Sequence, residues 1–330
     1  MSQKPVLNKF IVVNLASKVI SMSQTRLPDF VVIGAGKSGT TSLNEYLKEH
    51  PQIFMSTRKE PNFFAYEMAK EEDFDLESSK EFYRDSVLKL DDYLELFKGS
   101  KESQLLGEVS NTYLNSEMAC ERIKHYIPNT KLIAILRHPA DRLFSRYSHY
   151  VREGLLPEDG GLDKVFDKTT SWWLRPDMIT EGLYYGQLKR YYDNFPQENI
   201  RVYLYENFIN DTAGVVEDIF KFLAIDPSIK VATDIVYNKS GTVKNKAVDN
   251  LVGQNSPLIT TLKKVAPGLH RWMKDNVLIN RWLYNLRNKN LQKADFSPSL
   301  RKEIVDKIYA EDIKKLGNLI GQDLSHWLKA

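Results

Sequence analysis

A short apolar run, residues 29–33 (DFVVI), ends in glycine and is followed at once by a helix-patterned segment in which Leu43, Tyr46 and Leu47 fall on one face. Strand, glycine-rich turn and helix in that order restrict the chain more than any other feature. The turn must lie at a helix N-terminus, where unpaired N–H groups and a partial positive charge make an anion site. The loop itself, VVIGAGKSGTTS, fits two phosphate-binding patterns imperfectly. Gly34, Gly36 and Gly39 spell GxGxxG, but a lysine interrupts the fingerprint and the next acid, Glu60, follows a basic Arg58-Lys59 pair, so a dinucleotide is a poor match. Gly36-Lys37-Ser38 ends like a nucleotide-triphosphatase loop, yet Val31 stands where its first glycine belongs.

The same alternation continues. Residues 52–55, 105–109, 131–136 (KLIAIL) and 199–205 read as further strands, and KLIAIL is apolar after its first residue, as expected of a parallel strand covered on both faces. Residues 40–49, 116–126, 140–153, 184–195 and 212–223 read as helices, and 66–104 as helices with loops around a helical spacing at 82–97. This predicts an α/β chain with a P-loop-like open parallel β-sheet flanked by helices, its sites at the C-terminal strand ends. Residues 29–330 read as one domain: a core at 29–225, then a loop and helical additions at 226–330 with a final helix at 299–320. Residues 1–28 form a helical extension before it.

With 330 residues and a net charge of +3, nothing in the composition calls for nucleic acid; an electropositive site must be local. One cysteine, Cys120, excludes an internal disulfide and reads as a small buried residue. The longest early apolar run, 10–13, is far short of a membrane span. The extension has four cations, no acid and an apolar helical spacing, so it packs on the domain or touches a membrane surface peripherally. With no span, signal or disulfide, the expected location is the cytoplasm.

A second anion site follows the clearest strand. In LRHPADRLFSRY, Arg137 leaves the strand and Ser145 lies two turns into the next helix; an arginine fork with a hydroxyl beside it suits a phosphate. Arg142 and Arg146 are expected to face elsewhere on that helix.

Four blocks in this order, GKSGTTSL, HPQIFMSTRKEPNFF, GEVSNTYL and LRHPADRLFSRYSHY, resemble the sulfotransferase superfamily, in the branch of the Golgi heparan sulfate and related carbohydrate sulfotransferases and their bacterial relatives. The resemblance spans roughly residues 29–225. It implies 3′-phosphoadenosine 5′-phosphosulfate as donor, adenosine 3′,5′-bisphosphate as product, a carbohydrate or glycoconjugate acceptor and no required metal. By the same resemblance Gly36, Lys37, Ser38, Gly39, Thr40, Thr41 and Ser42 hold the 5′-phosphosulfate. Lys37 stabilises the leaving oxygen, Glu60 of EPNFF is general base, and Arg137 with Ser145 binds the 3′-phosphate. Tyr184 matches a tyrosine near the donor, with core packing as the alternative. Lys239, Ser240, Gly241 and Lys244 are candidates to close over the donor. Relatives acting on glycosaminoglycans carry a lysine where this chain has Val109, so the acceptor side differs from theirs. The acceptor pocket is expected from residues 60–100, 155–180 and 251–294, where Phe63, Trp172, Trp173 and Arg175 would meet a sugar, or pack a lipid or a loop core. A non-catalytic nucleotide-binding module or a kinase-like phosphotransferase is the alternative to sulfuryl transfer.

Overall fold

The computed structural model describes residues 26–153, 155–156, 158–233, 242–243, 245, 261–262, 265–266, 286, 291–292 and 296–329. Most of the N-terminal extension, Lys239, Ser240, Gly241 and Lys244, and most of 251–294 lie outside the described residues.

Five strands form one parallel sheet: β1 (Phe30–Gly34), β2 (Ile53–Met55), β3 (Leu105–Val109), β4 (Lys131–Leu136) and β5 (Ile200–Leu204), in the order β2-β3-β1-β4-β5. The strand pleat sorts the apolar side chains between two cores. Val31, Ile33, Leu132, Ala134 and Leu136 face one, and Phe30, Val32, Ile133 and Ile135 face the other. Helices α1 (Thr40–Lys48) and α9 (Thr212–Phe222) cover the second core with Leu43, Tyr46, Leu47, Val216 and Ile219. On the first lie α6 (Ala119–Tyr126), α7 (Pro139–Glu153) and α8 (Tyr184–Asn194), through Ile123, Leu143, Leu188 and Tyr191. Both faces being covered explains why β1 and β4 read as unbroken apolar runs.

The chain leaves β1 outward to β2 and β3 and then crosses to β4, so β1 stands where the strand order reverses. Ligands of open α/β sheets bind at such a point, outside the carboxyl ends of the strands. The C-terminal residues return to the first core: Pro298–Ile304, a π-helical stretch Val305–Tyr309 and Ala310–Ile320 run in succession. Tyr309 and Leu316 are fully buried and Leu324 nearly so, and Trp327 is buried with its Nε1–H donating to Glu206 Oε1 at 2.6 Å.

Three local expectations change. The helix expected at 116–126 begins only at Ala119, after a separate turn, α5 (Thr112–Asn115). The spacing at 82–97 divides between α3 (Glu77–Arg84) and α4 (Leu90–Glu95). Thr242–Val243 pairs antiparallel with Leu291–Gln292 in a stretch read as loop and helices, because two-residue strands are too short to show alternation.

Candidate active site

The carboxyl end of β1 passes into residues 35–39 and then into the first turn of α1. Lys37 takes a left-handed conformation at φ 66°, unusual for a residue with a Cβ, and Gly39 follows at φ 86°. At Gly39 a side chain is excluded twice, by its backbone angle and by the Phe208 ring 3.0 Å from where a Cβ would stand. No side chain caps α1, and Thr40, Thr41 and Ser42 turn toward a cavity of about 850 Å³. Ser38 Oγ is buried without a hydrogen-bond partner among the described residues. A buried hydroxyl left unsatisfied in a glycine-flanked turn at a helix N-terminus fits a loop that receives an oxyanion.

Lys37 lines this cavity, and burial together with the charges of Arg146, Arg152 and Arg137 lowers its ammonium to about 7. The same cluster acts on His149, which burial, Lys37, Arg152 and Arg146 lower to about 4. Cations forced this close favour a multiply charged anion between them.

Glu60, beyond the end of β2, lines the same cavity. It too is left-handed, at φ 57°, and its N–H donates to Val109 O at 2.8 Å. Two donors meet one carboxylate oxygen: Asn111 Nδ2 at 2.7 Å and the Lys59 ammonium both engage Oε1. Oε2 has no hydrogen-bond partner among the described residues. Beneath the turn, Asn62 N–H donates to Ser110 Oγ at 3.1 Å, and that hydroxyl donates to Glu108 Oε2 at 2.8 Å. Glu108 is fully buried and also accepts from Tyr93 and Tyr113 at 2.6 and 2.7 Å. Burial raises its carboxyl to about 7 against the pull of those three donors. The backbone that aims Glu60 is therefore bolted to β3 by a buried polar network.

Of the residues expected at the site, the cavity brings together Lys37, Gly39, Thr40, Thr41, Ser42 and Glu60. Arg137, Ser145 and Tyr184 stand outside its lining. Arg137 donates to Lys37 O at 3.0 Å and stacks 4.8 Å over the Tyr205 ring, so its guanidinium braces the loop. Ser145 is buried on α7. Tyr184 packs in the core and its hydroxyl donates to Arg137 O at 3.0 Å.

One expectation fails on sidedness, and one open alternative resolves toward packing. Arg146, expected to face away, lines the cavity and reaches Glu181 at 3.4 Å. Phe63 and Trp172 are core residues, Phe63 stacked on Tyr93 at 4.4 Å, while Trp173 donates to Val165 O and Arg175 is held by Asp177 and Tyr150. None of these four lines the cavity. Residues missed altogether are Asn111, Lys59, His149 and Glu181. Glu181 accepts from Gly36 N–H at 2.8 Å and from Arg142 at 2.7 Å, and any side chain at Gly36 would collide with it. His149, four residues after Ser145, carried a helical-spacing signal; Glu181 carried none.

The family model for the sulfotransferase domain matches residues 27–256. The chain belongs to this family. Among solved structures, a sulfotransferase from Alicyclobacillus acidocaldarius is similar at 26% identity and a TM-score of 0.65, over 92% of this chain and 99% of that one. Among curated relatives, human bifunctional heparan sulfate N-deacetylase/N-sulfotransferase 2 is 27% identical over 213 residues, covering 61% of this chain and 22% of the relative. A membrane-associated sulfotransferase of Dictyostelium discoideum is 32% identical over 121 residues, 37% of this chain and 22% of the relative. This sulfotransferase domain thus spans about a fifth of the length of both curated relatives. No helix among the described residues is long and apolar enough to cross a membrane.

Proposed function

We propose that the protein transfers a sulfuryl group from 3′-phosphoadenosine 5′-phosphosulfate to a hydroxyl, less readily an amine, of a carbohydrate or glycoconjugate. The observation that carries this reading is one cavity lined both by Lys37 with the hydroxyl-rich first turn of α1 and by Glu60. A sugar hydroxyl is a weak nucleophile, and in-line attack on sulfur requires its proton to leave as the new S–O bond forms. Glu60 Oε2 takes that proton while Asn111 and Lys59 hold Oε1. The bond from sulfur to the bridging phosphate oxygen breaks, and the charge left on that oxygen is stabilised by Lys37 and the N–H groups of the α1 turn. Ser38, whose hydroxyl is unsatisfied, and Thr40, Thr41 and Ser42 complete the 5′-phosphosulfate cradle. Arg137, braced against the loop, and Ser145 bind the 3′-phosphate.

Glu60→Gln tests the base. The variant is expected to bind adenosine 3′,5′-bisphosphate within twofold of the parent while turnover drops about a hundredfold or more. Full turnover in Glu60→Gln would remove Glu60 from the mechanism.

A further inference from the structure

Past Glu60 the cavity continues along a wall whose chemistry differs from the donor end. Ala65, Tyr66, Phe74, Phe82, Met68 and Met118 line it. Met68 is 85% exposed and Met118 48% exposed, so two flexible apolar side chains stand open on a concave surface. Two of the lining rings, Tyr66 and Phe74, pack against each other and against Tyr83 at 5.6 to 6.3 Å, which fixes them in place. Such a surface is the usual lining of a ligand site, where most contacts are apolar and a few polar groups orient the molecule.

Its cations are already engaged. Lys59 sits on Glu60, Arg122 donates to the carbonyls of Phe64 and Ala65 at 3.1 and 2.8 Å, and Arg146 lies between Asp177 and Glu181. The remaining lining cation among the described residues, Lys37, belongs to the phosphate loop. From Lys70 to Glu77 the sequence carries five carboxylates against one lysine; Arg84 pairs with Glu71 and Glu77, and Asp73 lines the cavity. An acidic polysaccharide entering here meets committed arginines and the like charge of Asp73; an uncharged molecule with an apolar body meets an open apolar wall.

We propose that the acceptor is an uncharged amphiphile, a hydroxyl-bearing headgroup joined to an alkyl or aryl group. The headgroup sits at Glu60 and the apolar group on the Met68 and Met118 wall. This rests on the sulfuryl-transfer reading and narrows its acceptor class.

The test is calorimetric titration of the protein saturated with adenosine 3′,5′-bisphosphate, using octyl glucoside below its micellar concentration, methyl glucoside and an unsulfated glucuronate-containing hexasaccharide. Burial of one methylene is worth about fourfold in affinity, so two or more should place octyl glucoside at least about tenfold ahead of the other two. In the double variant Met68→Asp with Met118→Asp, both at exposed positions, that preference should fall at least about fivefold while bisphosphate affinity stays within twofold. Tighter binding of the hexasaccharide, equal binding of octyl and methyl glucoside, or an undiminished preference in the double variant would overturn the proposal. Failure to bind the bisphosphate is a separate result: it refutes the donor reading, and the octyl titration on donor-free protein still reads the wall.

Discussion

Replacing Lys37 by methionine probes the donor loop through protons rather than rates. In the structure burial and the charges of Arg146, Arg152 and Arg137 bring this ammonium to about 7. At pH 8 it is then roughly one-tenth protonated in the donor-free protein. An anion held within a few ångströms raises an amine by about one to three pH units, so in the complex with adenosine 3′,5′-bisphosphate Lys37 is roughly half to fully protonated at pH 8. Binding should therefore take up roughly 0.4 to 0.9 proton at pH 8 and almost none at pH 6. Affinity should fall by up to about tenfold per pH unit above pH 7, because the free protein is then the form lacking the proton. Calorimetry in two buffers of different ionisation enthalpy measures the uptake directly. His149, lowered to about 4, can contribute only at more acid pH, so Lys37→Met should abolish the uptake at pH 8 and leave any uptake near pH 5. No uptake in the parent at pH 8, or undiminished uptake in Lys37→Met, would refute the placement of the phosphate against this lysine.

Arg137→Ala, and Ser145→Ala more mildly, should weaken adenosine 3′,5′-bisphosphate, with roughly a 10- to 100-fold loss for the arginine. Adenosine 5′-phosphosulfate, which has no 3′-phosphate, should change less than about threefold; equal losses for both ligands would remove Arg137 from the 3′-site. Glu108, buried and raised to about 7, binds a proton in the folded chain that the unfolded chain has released above about pH 4.3. Its contribution is present at low pH and is lost as pH rises through about 7, on the order of 3 kcal/mol in all. Denaturant midpoints between pH 4.5 and 8 should therefore slope less in Glu108→Gln than in the parent, and parallel curves would contradict the raised carboxyl. Trp327→Ala should destabilise the protein by about 3 to 5 kcal/mol, since it empties a fully buried indole site and strips Glu206 of its Nε1–H donor. An unchanged denaturation midpoint would mean the C-terminal residues do not pack on the first core.

Sequence carried the sheet well because its strands are buried on both faces. KLIAIL and LLGEV match β4 and β3 residue for residue, and the glycine turn after β1 marks the site's centre. The position of Glu60 was legible only through its block, since nothing local announces a left-handed glutamate. What was lost is angular. Ser145 and Arg146 are neighbours on one helix, about 100° apart, and no periodicity says which looks at the loop. Phe63 and Trp172 have the composition of an acceptor surface, yet both point into the core. Glu181 and Asn111 work through contacts across 145 and 51 residues, to Gly36 and Glu60 respectively, and no spacing rule reaches that far. The open wall around Met68 and Met118 was hidden for the same reason: two methionines 50 positions apart share a surface only after α2 (Phe63–Tyr66) and α6 have packed together.

The most direct measurement is a calorimetric comparison of adenosine 3′,5′-bisphosphate with ATP plus magnesium and with NAD on the same protein. A loop that holds a phosphosulfate, flanked by a second phosphate site at Arg137, should bind the bisphosphate at least about a hundredfold more tightly than either alternative. Tight binding of ATP with magnesium and none of the bisphosphate would contradict the sulfuryl-transfer reading at its root.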